Sequence, residues 1–173
     1  MKTAIIFGAS GAVGGQLLSQ LAKSKNYQMV IVPVRKPLSA DSVESNKVRQ
    51  LIIKGENQKT LLTDELTQSA AAADVFCCLG STIKKAGSRE AFAQIDLDLV
   101  VSIGRWAKEQ EVNSFHVISS LGADTESDNF YLSTKGKMEQ ALASLVFTAL
   151  FIYLPSLLSR AKRPEFRVGE VLA

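Results

Sequence analysis

Two groupings of residues in this chain have types and spacings that could do chemistry. The first is Gly8-Ala9-Ser10-Gly11-Ala12-Val13-Gly14, with glycines at i, i+3 and i+6. Placed after a strand and opening a helix, such a turn offers free main-chain N–H groups and the positive helix end to a diphosphate. Gly8 permits the tight turn, Gly11 a close approach of the phosphates, and Gly14 close packing of the helix on the sheet. Ser10, Ala12 and Val13 complete the cradle. A glycine-rich turn without a ligand is the plainer reading; strand, loop and helix in register at the amino terminus argue against it. No lysine of the nucleoside-triphosphatase type follows the turn, which excludes that class. The second grouping is Tyr131-Leu132-Ser133-Thr134-Lys135, a phenol and an ammonium at i and i+4. On a helix they share a face. A nearby ammonium favours the phenolate and brings a tyrosine, whose free pKa is about 10, toward acid–base use. The spacing alone is common and gains its weight from position.

The surroundings refine this chemistry. A second strand ends at Val34-Arg35-Lys36, where an NAD site usually carries an acid for the ribose hydroxyls. Two cations there suit a 2′-phosphate, and Arg35 can grip it as a fork. NADP(H) is therefore favoured over NAD(H), with an ordinary basic loop as the bland alternative. Ser119 and Ser120 close a strand at Val117-Ile118-Ser119-Ser120-Leu121-Gly122. Ligands in open α/β sheets bind outside the carboxyl ends of strands, so a serine there can orient a substrate oxygen. Ser120 is the first choice and Ser119 the reserve; both also suit plain strand-end caps. Leu79-Gly80-Ser81-Thr82 ends another strand, and Leu79, Gly80 and Ser81 would pass beneath the cofactor. Asp96 either anchors a network near the site or simply faces solvent. His116 falls inside a strand, where a structural role outweighs catalysis.

The elements that must position these groups follow from periodicity. Runs at Thr3–Phe7, Met29–Val34, Gln50–Ile53, Asp74–Leu79, Ser114–Ile118 and Thr148–Tyr153 read as strands. Val13, Leu17, Leu18 and Leu21 have helical spacing, Asp64–Ala73 reads as a helix, and Phe92, Ile95, Leu99, Ile103 and Trp106 form one helical stripe. Tyr131–Leu145 is helical, with Met138, Leu142 and Leu145 inward. Strands alternating with helices imply right-handed crossovers and a parallel sheet covered on both faces. The expected fold is α/β, a Rossmann-type doubly wound parallel sheet in one NAD(P)-binding domain over residues 1–173.

Composition bounds the function. The 173 residues suit one domain, and 46% apolar with 21% charged residues is ordinary for a globular protein. A net charge of +3, with scattered Lys and Arg, argues against nucleic acid. The densest basic cluster, Arg160, Lys162, Arg163 and Arg167, reads as a solvated face or a single anion patch. Cys77 and Cys78 are adjacent, so on a strand they point to opposite faces and do not bridge. No metal-ligand spacing exists. The chain opens into a strand with no leader, and its longest apolar run, Leu145 to Leu158, is too short for a membrane helix. A cytoplasmic location is expected. Self-association through the helix of Trp106 stays open, since the sheet beneath explains the stripe equally well.

Together these residues resemble the atypical short-chain dehydrogenase/reductase superfamily. Within it they are similar to the NmrA-like, Tat-interacting oxidoreductase family, this chain reading as a bacterial relative. The likeness spans Gly8–Gly15, Arg35-Lys36, Cys77–Thr82, Ala86-Gly87, Asp96, Ser119–Asp124, Tyr131–Gly136, Met138-Glu139, Pro155 and Arg167-Val168-Gly169-Glu170. The Cys-Cys-Leu-Gly and Ser-Ser-x-Gly-Ala-Asp stretches are its most specific parts. The resemblance implies that Tyr131 is the proton donor/acceptor, Lys135 its helper, the glycine turn the NADP(H) cradle, and Pro155 a cofactor neighbour. Three features depart from it. Leu154-Pro155-Ser156 stands for Arg-Pro-Gly, Lys54-Gly55-Glu56 stands where an adenine-binding Asp is usual, and the chain stops at Ala173, an abbreviated substrate region. The expected function is NADP(H)-dependent reduction of a small carbonyl or related substrate of unread identity. A redox-sensing NADP(H)-binding protein without turnover is the alternative, and a sugar-nucleotide epimerase a third, short of the length for a nucleotide-sugar lobe.

Overall fold

The computed structural model describes residues 2–39, 46–54 and 61–156. Glu56, the basic cluster at 160–167 and the stretch 167–170 lie outside the described residues. Six parallel strands form one sheet in the order β3-β2-β1-β4-β5-β6, with β1 at Lys2–Phe7, β2 at Tyr27–Val34, β3 at Val48–Ile52, β4 at Asp74–Cys77, β5 at Ser114–Ile118 and β6 at Leu150–Tyr153. The order runs outward from β1 in both directions. The reversal lies between β1 and β4, and a crevice at such a point is where open α/β sheets bind ligands. This is the doubly wound α/β fold expected from the strand–helix alternation.

Each face of the sheet has its own core. Helix α1 (Ala12–Lys23) covers one, where Leu18 packs with Ala4, Ile6, Val30 and Val32. Helices α5 (Val100–Glu109) and α6 (Phe130–Ala143) cover the other, with Ile103, Met138 and Leu142 against Phe7, Val75 and Val117. Successive strand residues alternate between the two, which is why Cys77 belongs to the α5/α6 core and Cys78 faces α1. Both cysteines are free, as their adjacency dictates.

Three elements differ from expectation. Helix α2 (Asp64–Gln68), N-capped by Thr63, stops well short of Ala73 and leaves the strand entry to a tight turn through Ala70 and Ala73. Helix α3 (Ile83–Ala86) caps the loop after β4. Most consequentially, α4 (Arg89–Ala93) runs into α5 through a π-helical turn, Gln94–Leu99. The wider winding of such a turn rotates the residues that follow relative to a regular helix. The buried line is therefore Phe92, Asp96, Val100, Ile103 and Ala107, while Ile95 and Leu99 are only half-buried. Trp106 stays buried, edge-on to Phe7, with its indole N–H donated to Thr67 Oγ1 at 3.1 Å. The sheet thus accounts for the apolar stripe.

Candidate dinucleotide and acid–base site

The glycine turn has the shape its spacing implies. Gly8 has φ +82°, a left-handed conformation that disfavours side chains, and a Cβ there would come within 2.8 Å of the Cys78 carbonyl. Gly14 is tighter: its Cβ would lie 2.2 Å from the Gly8 carbonyl oxygen. The turn closes through Gly11 N–H donating to Gly8 O at 2.9 Å, and Gly15 N–H to Gly11 O begins the helix. Gly11 is the N-cap of α1 and has no side-chain cap. Ser10, Gly11 and Ala12 are exposed and Val13 half-buried, so the first amides of α1 are open to an anion. A diphosphate fits this cradle because no side chain fills it. Arg35 and Lys36, just past β2, are exposed.

Across the crevice, α6 is started by Asn129, whose Oδ1 accepts the N–H groups of Tyr131 at 2.9 Å and Leu132 at 3.4 Å. Tyr131 is half-buried, with its ring 5.7 Å from that of Phe92. One turn on, Lys135 is buried, and its Nζ lies 2.7 Å from Asp96 Oδ1. Asp96 is 1% exposed and its other oxygen, Oδ2, accepts the Ser81 N–H at 2.8 Å. Among the described residues, Oδ1 accepts no well-aligned hydrogen bond and forms an ion pair with the Lys135 ammonium. Asp96 is therefore no solvent-facing helix residue. Ser81 takes part through its backbone, and Gly80 is close enough that a Cβ on it would lie 3.5 Å from Asp96 Oδ1. Cys77, in the same interior, has its thiol pushed up to about 12 by burial and remains neutral beside this pair.

The two serines part company. Ser119 is buried and donates its hydroxyl to Glu139 Oε1 of α6, which commits it to holding β5 against that helix. Ser120 is half-buried and, among the described residues, its hydroxyl donates to the Leu121 carbonyl at 3.3 Å. Of the pair, Ser120 is the one available to a ligand. Pro155 lies at the same edge, its carbonyl accepting Leu121 N–H at 3.2 Å. Gly80 is exposed and Leu79 half-buried. Among the described residues Tyr131 and Ser120 make no hydrogen bond to each other.

Several contributors escaped the sequence reading. Glu139 stood within the likeness without a role assigned to it, and Asn129 had no motif to mark it as a cap. Gly136 lets α6 approach the loop after β5 so closely that a Cβ would fall 2.4 Å from the Asp124 carbonyl carbon. A Gly one residue after the lysine was the available signal. His116 has a structural setting, stacked between Phe76 at 4.4 Å and Phe151 at 4.6 Å and bonded to Ser114 and Tyr153. Burial holds its pKa below the ordinary value, against the raising pull of Asp74. A cavity of about 240 Å³ beside Val13, Leu17, Cys78, His116 and Tyr153 does not include Lys135 in its lining, and its mostly apolar wall does not suit phosphates.

Residues 8–151 match the protein family described as NAD(P)H-binding. The chain is 34% identical over 173 residues to Protein HTATIP2 of Rattus norvegicus, covering 99% of this chain and 69% of the relative. It is 30% identical over 175 residues to Protein FMP52, mitochondrial, of Debaryomyces hansenii, covering 98% and 73% respectively. The cytoplasmic location expected from the sequence has no counterpart in that second name; among the described residues no helix is long and apolar enough to cross a membrane. Solved structures with the same fold include the Bordetella bronchiseptica enzyme WbmH in complex with NAD+, at TM-score 0.68, 13% identity and 88% of this chain. Another is a Bacillus cereus UDP-glucuronic acid 4-epimerase with UDP-glucuronic acid and NAD, at TM-score 0.65, 16% identity and 87% of this chain. The chain spans 56% and 55% of those two proteins, and at such identities the likeness is one of fold.

Proposed function

This chain belongs to the NAD(P)H-binding family, and from that membership and the geometry above we propose that it is an NADP(H)-dependent oxidoreductase of the short-chain dehydrogenase/reductase type, NmrA-like, reducing a small carbonyl or related substrate. The observation that carries the reading is that the open glycine turn and the Tyr131–Lys135 helix both sit at the carboxyl ends of the strands. The nicotinamide dinucleotide, when bound, supplies the hydride. Residues of the turn, Gly8 through Gly14, hold its diphosphate with main-chain amides, and Arg35 with Lys36 meets the 2′-phosphate. Leu79, Gly80, Ser81 and Pro155 border it. Ser120 donates a hydrogen bond to the substrate oxygen. Tyr131 gives that oxygen its proton as the carbonyl carbon is reduced, and Lys135 orients the cofactor ribose.

Titration of the purified chain with NADPH and NADH side by side tests the cofactor assignment; no affinity for either at millimolar concentration defeats it. Tyr131→Phe should lower turnover by a factor of about 10²–10⁴ across a panel of carbonyl substrates. NADPH affinity should be unchanged in that variant, and undiminished turnover removes Tyr131 from its role.

A second reading, an NADP(H)-binding regulatory protein without turnover, draws on one observation. The Lys135 ammonium is spent on Asp96, and its charge is already answered before any ligand arrives. A partner whose affinity differs between NADP⁺ and NADPH, with no cofactor oxidation on the substrate panel, would select it.

A further inference from the structure

The cavity of about 240 Å³ between α1 and the sheet has no part in the proposed reaction. Its apolar wall comes from Val13 and Leu17 of α1 and from Phe76 and Ile118 of β4 and β5. Interiors pack densely, and an apolar cavity of about 150 Å³ already takes a benzene-sized molecule. Three polar side chains also reach the lining: Cys78, His116 and Tyr153. What each can offer a ligand is fixed by a chain of hydrogen bonds that ends on a carboxylate.

Asp74, its carboxyl held below the usual range, is ionised and can only accept. Ser114 Oγ therefore gives its single hydrogen to Asp74 Oδ1, at 2.6 Å. With that hydrogen spent, Ser114 Oγ accepts from His116 Nε2–H, at 2.9 Å. Burial holds the His116 pKa below its ordinary value, so the ring is neutral near pH 7 and carries one hydrogen. His116 Nδ1 is then an acceptor, and Tyr153 Oη donates to it at 3.0 Å. The polarity runs one way, from Tyr153 through His116 and Ser114 to Asp74. Both ring nitrogens of His116 are engaged. Burial pushes the Cys78 thiol up to about 11, and a neutral thiol is a weak donor. Tyr153 is half exposed, and among the described residues no group donates to its hydroxyl oxygen. The lining thus presents an apolar wall and one free, strong acceptor.

We propose that this cavity is a second small-molecule site, which takes a flat apolar molecule bearing one O–H or N–H donor, of the phenol or indole class, with Tyr153 Oη accepting that hydrogen. The wall favours the ring, and the single oriented acceptor selects the donor. A molecule whose polar atom is only an acceptor would set lone pair against lone pair. The site shares Val13 with the glycine turn and nothing with Tyr131 and Lys135, so it stands or falls independently of the oxidoreductase reading.

Phenol and benzonitrile are similar in size, and only phenol donates a hydrogen bond. Each is titrated into the full chain, with and without saturating NADPH, and followed by backbone amide shifts in NMR spectra. Phenol should bind in the millimolar range, move the amides of Leu17, Phe76 and Ile118, and bind about tenfold more tightly than benzonitrile, the worth of one hydrogen bond. His116→Phe keeps a ring in the stack between Phe76 and Phe151 but removes Nδ1, which releases the Tyr153 hydrogen. In that variant the preference for phenol should shrink to about twofold or less. Leu17→Trp fills the space and should abolish binding of both probes, with NADPH affinity unchanged. No shift at these amides up to the solubility limit of phenol overturns the site, as does loss of phenol binding when NADPH is added. Equal affinities for the two probes overturn Tyr153 as the acceptor, and so does a folded His116→Phe protein that keeps the full preference. Undiminished phenol binding to folded Leu17→Trp places the ligand elsewhere and overturns the proposal. Should either variant fail to fold, the parent-chain titrations decide. If the parent chain binds no NADPH, the oxidoreductase reading falls, while the phenol and benzonitrile titrations still report on the cavity.

Discussion

The sheet buries one aspartate at each of its two edges, and the pair is instructive. Asp74 begins β4, at the amino edge. Its carboxylate accepts hydrogen bonds from Ser114 Oγ at 2.6 Å, Asn113 Nδ2 at 2.5 Å and Tyr27 Oη at 2.8 Å, and meets Lys2 Nζ at 3.3 Å. Asp96, at the carboxyl edge, has one ammonium and one amide. At Asp74, burial works against ionisation, yet the bonds from Ser114, Asn113, Tyr27 and Lys2 outweigh it and hold the carboxyl below its usual range. The same contact, together with burial, pushes the Tyr27 phenol up. A carboxylate so fully satisfied ties β1, β2, β4 and β5 together and has nothing left to offer a ligand. Asp96 ties only two elements, both at the edge where the glycine turn opens. The edge at the start of β4 is saturated, and the edge proposed to hold the cofactor is not.

That contrast can be broken from either side. The largest effect is expected at the functional edge. Gly14→Ala puts a Cβ 2.2 Å from the Gly8 carbonyl oxygen, so the backbone of the turn itself must shift. Overpacking of that kind costs about 3 kcal/mol, and the same distortion of the cradle should weaken NADPH binding about a hundredfold by calorimetry. Affinity that survives the substitution would mean that the turn is not the cradle.

At the structural edge the effect should be on stability alone. Asp74→Asn keeps one acceptor oxygen, leaves two of the four donors short of theirs, and should lower the unfolding free energy by about 2 kcal/mol in urea, with NADPH affinity unchanged. The pH dependence follows from the lowered carboxyl. Its contribution is complete above the unfolded carboxylate range, about pH 4, and disappears as pH falls through the still lower folded value. The urea midpoints of the parent and Asp74→Asn should therefore differ at pH 7 and converge in strong acid. A gap that persists there would show that the charge of Asp74 is not what stabilises the edge.

The smallest effect sharpens the assignment of the dinucleotide. Arg35→Ala should weaken NADPH by about tenfold, the worth of a charge-assisted hydrogen bond at an exposed site, and leave NADH unchanged. Equal losses for both cofactors would move Arg35 away from the 2′-phosphate.

The layout of the site was legible in advance wherever it is local. Gly8, Gly11 and Gly14 announce a turn because a missing Cβ is a property of single residues, and the strand before them announces where it sits. The alternation of apolar strands with helical stripes carries the parallel sheet, since each period is written within a few residues. Tyr131 and Lys135 likewise share a helix face by spacing alone. The partners of those side chains were not legible. A regular helical stripe through Phe92, Ile95 and Leu99 leaves Asp96 off the buried line; the π-helical turn brings it in, 39 residues in sequence from the lysine that neutralises it. Ser119 stood as the reserve to Ser120, and only the packing of α6, which sets Glu139 against it, takes it out of reach of a ligand. Asp74 gave no sign of its donors on β1, β2 and β5. Spacing along the chain encodes conformation and face. Which buried charge meets which donor depends on contacts between distant segments, and those exist only once the sheet and its helices have assembled.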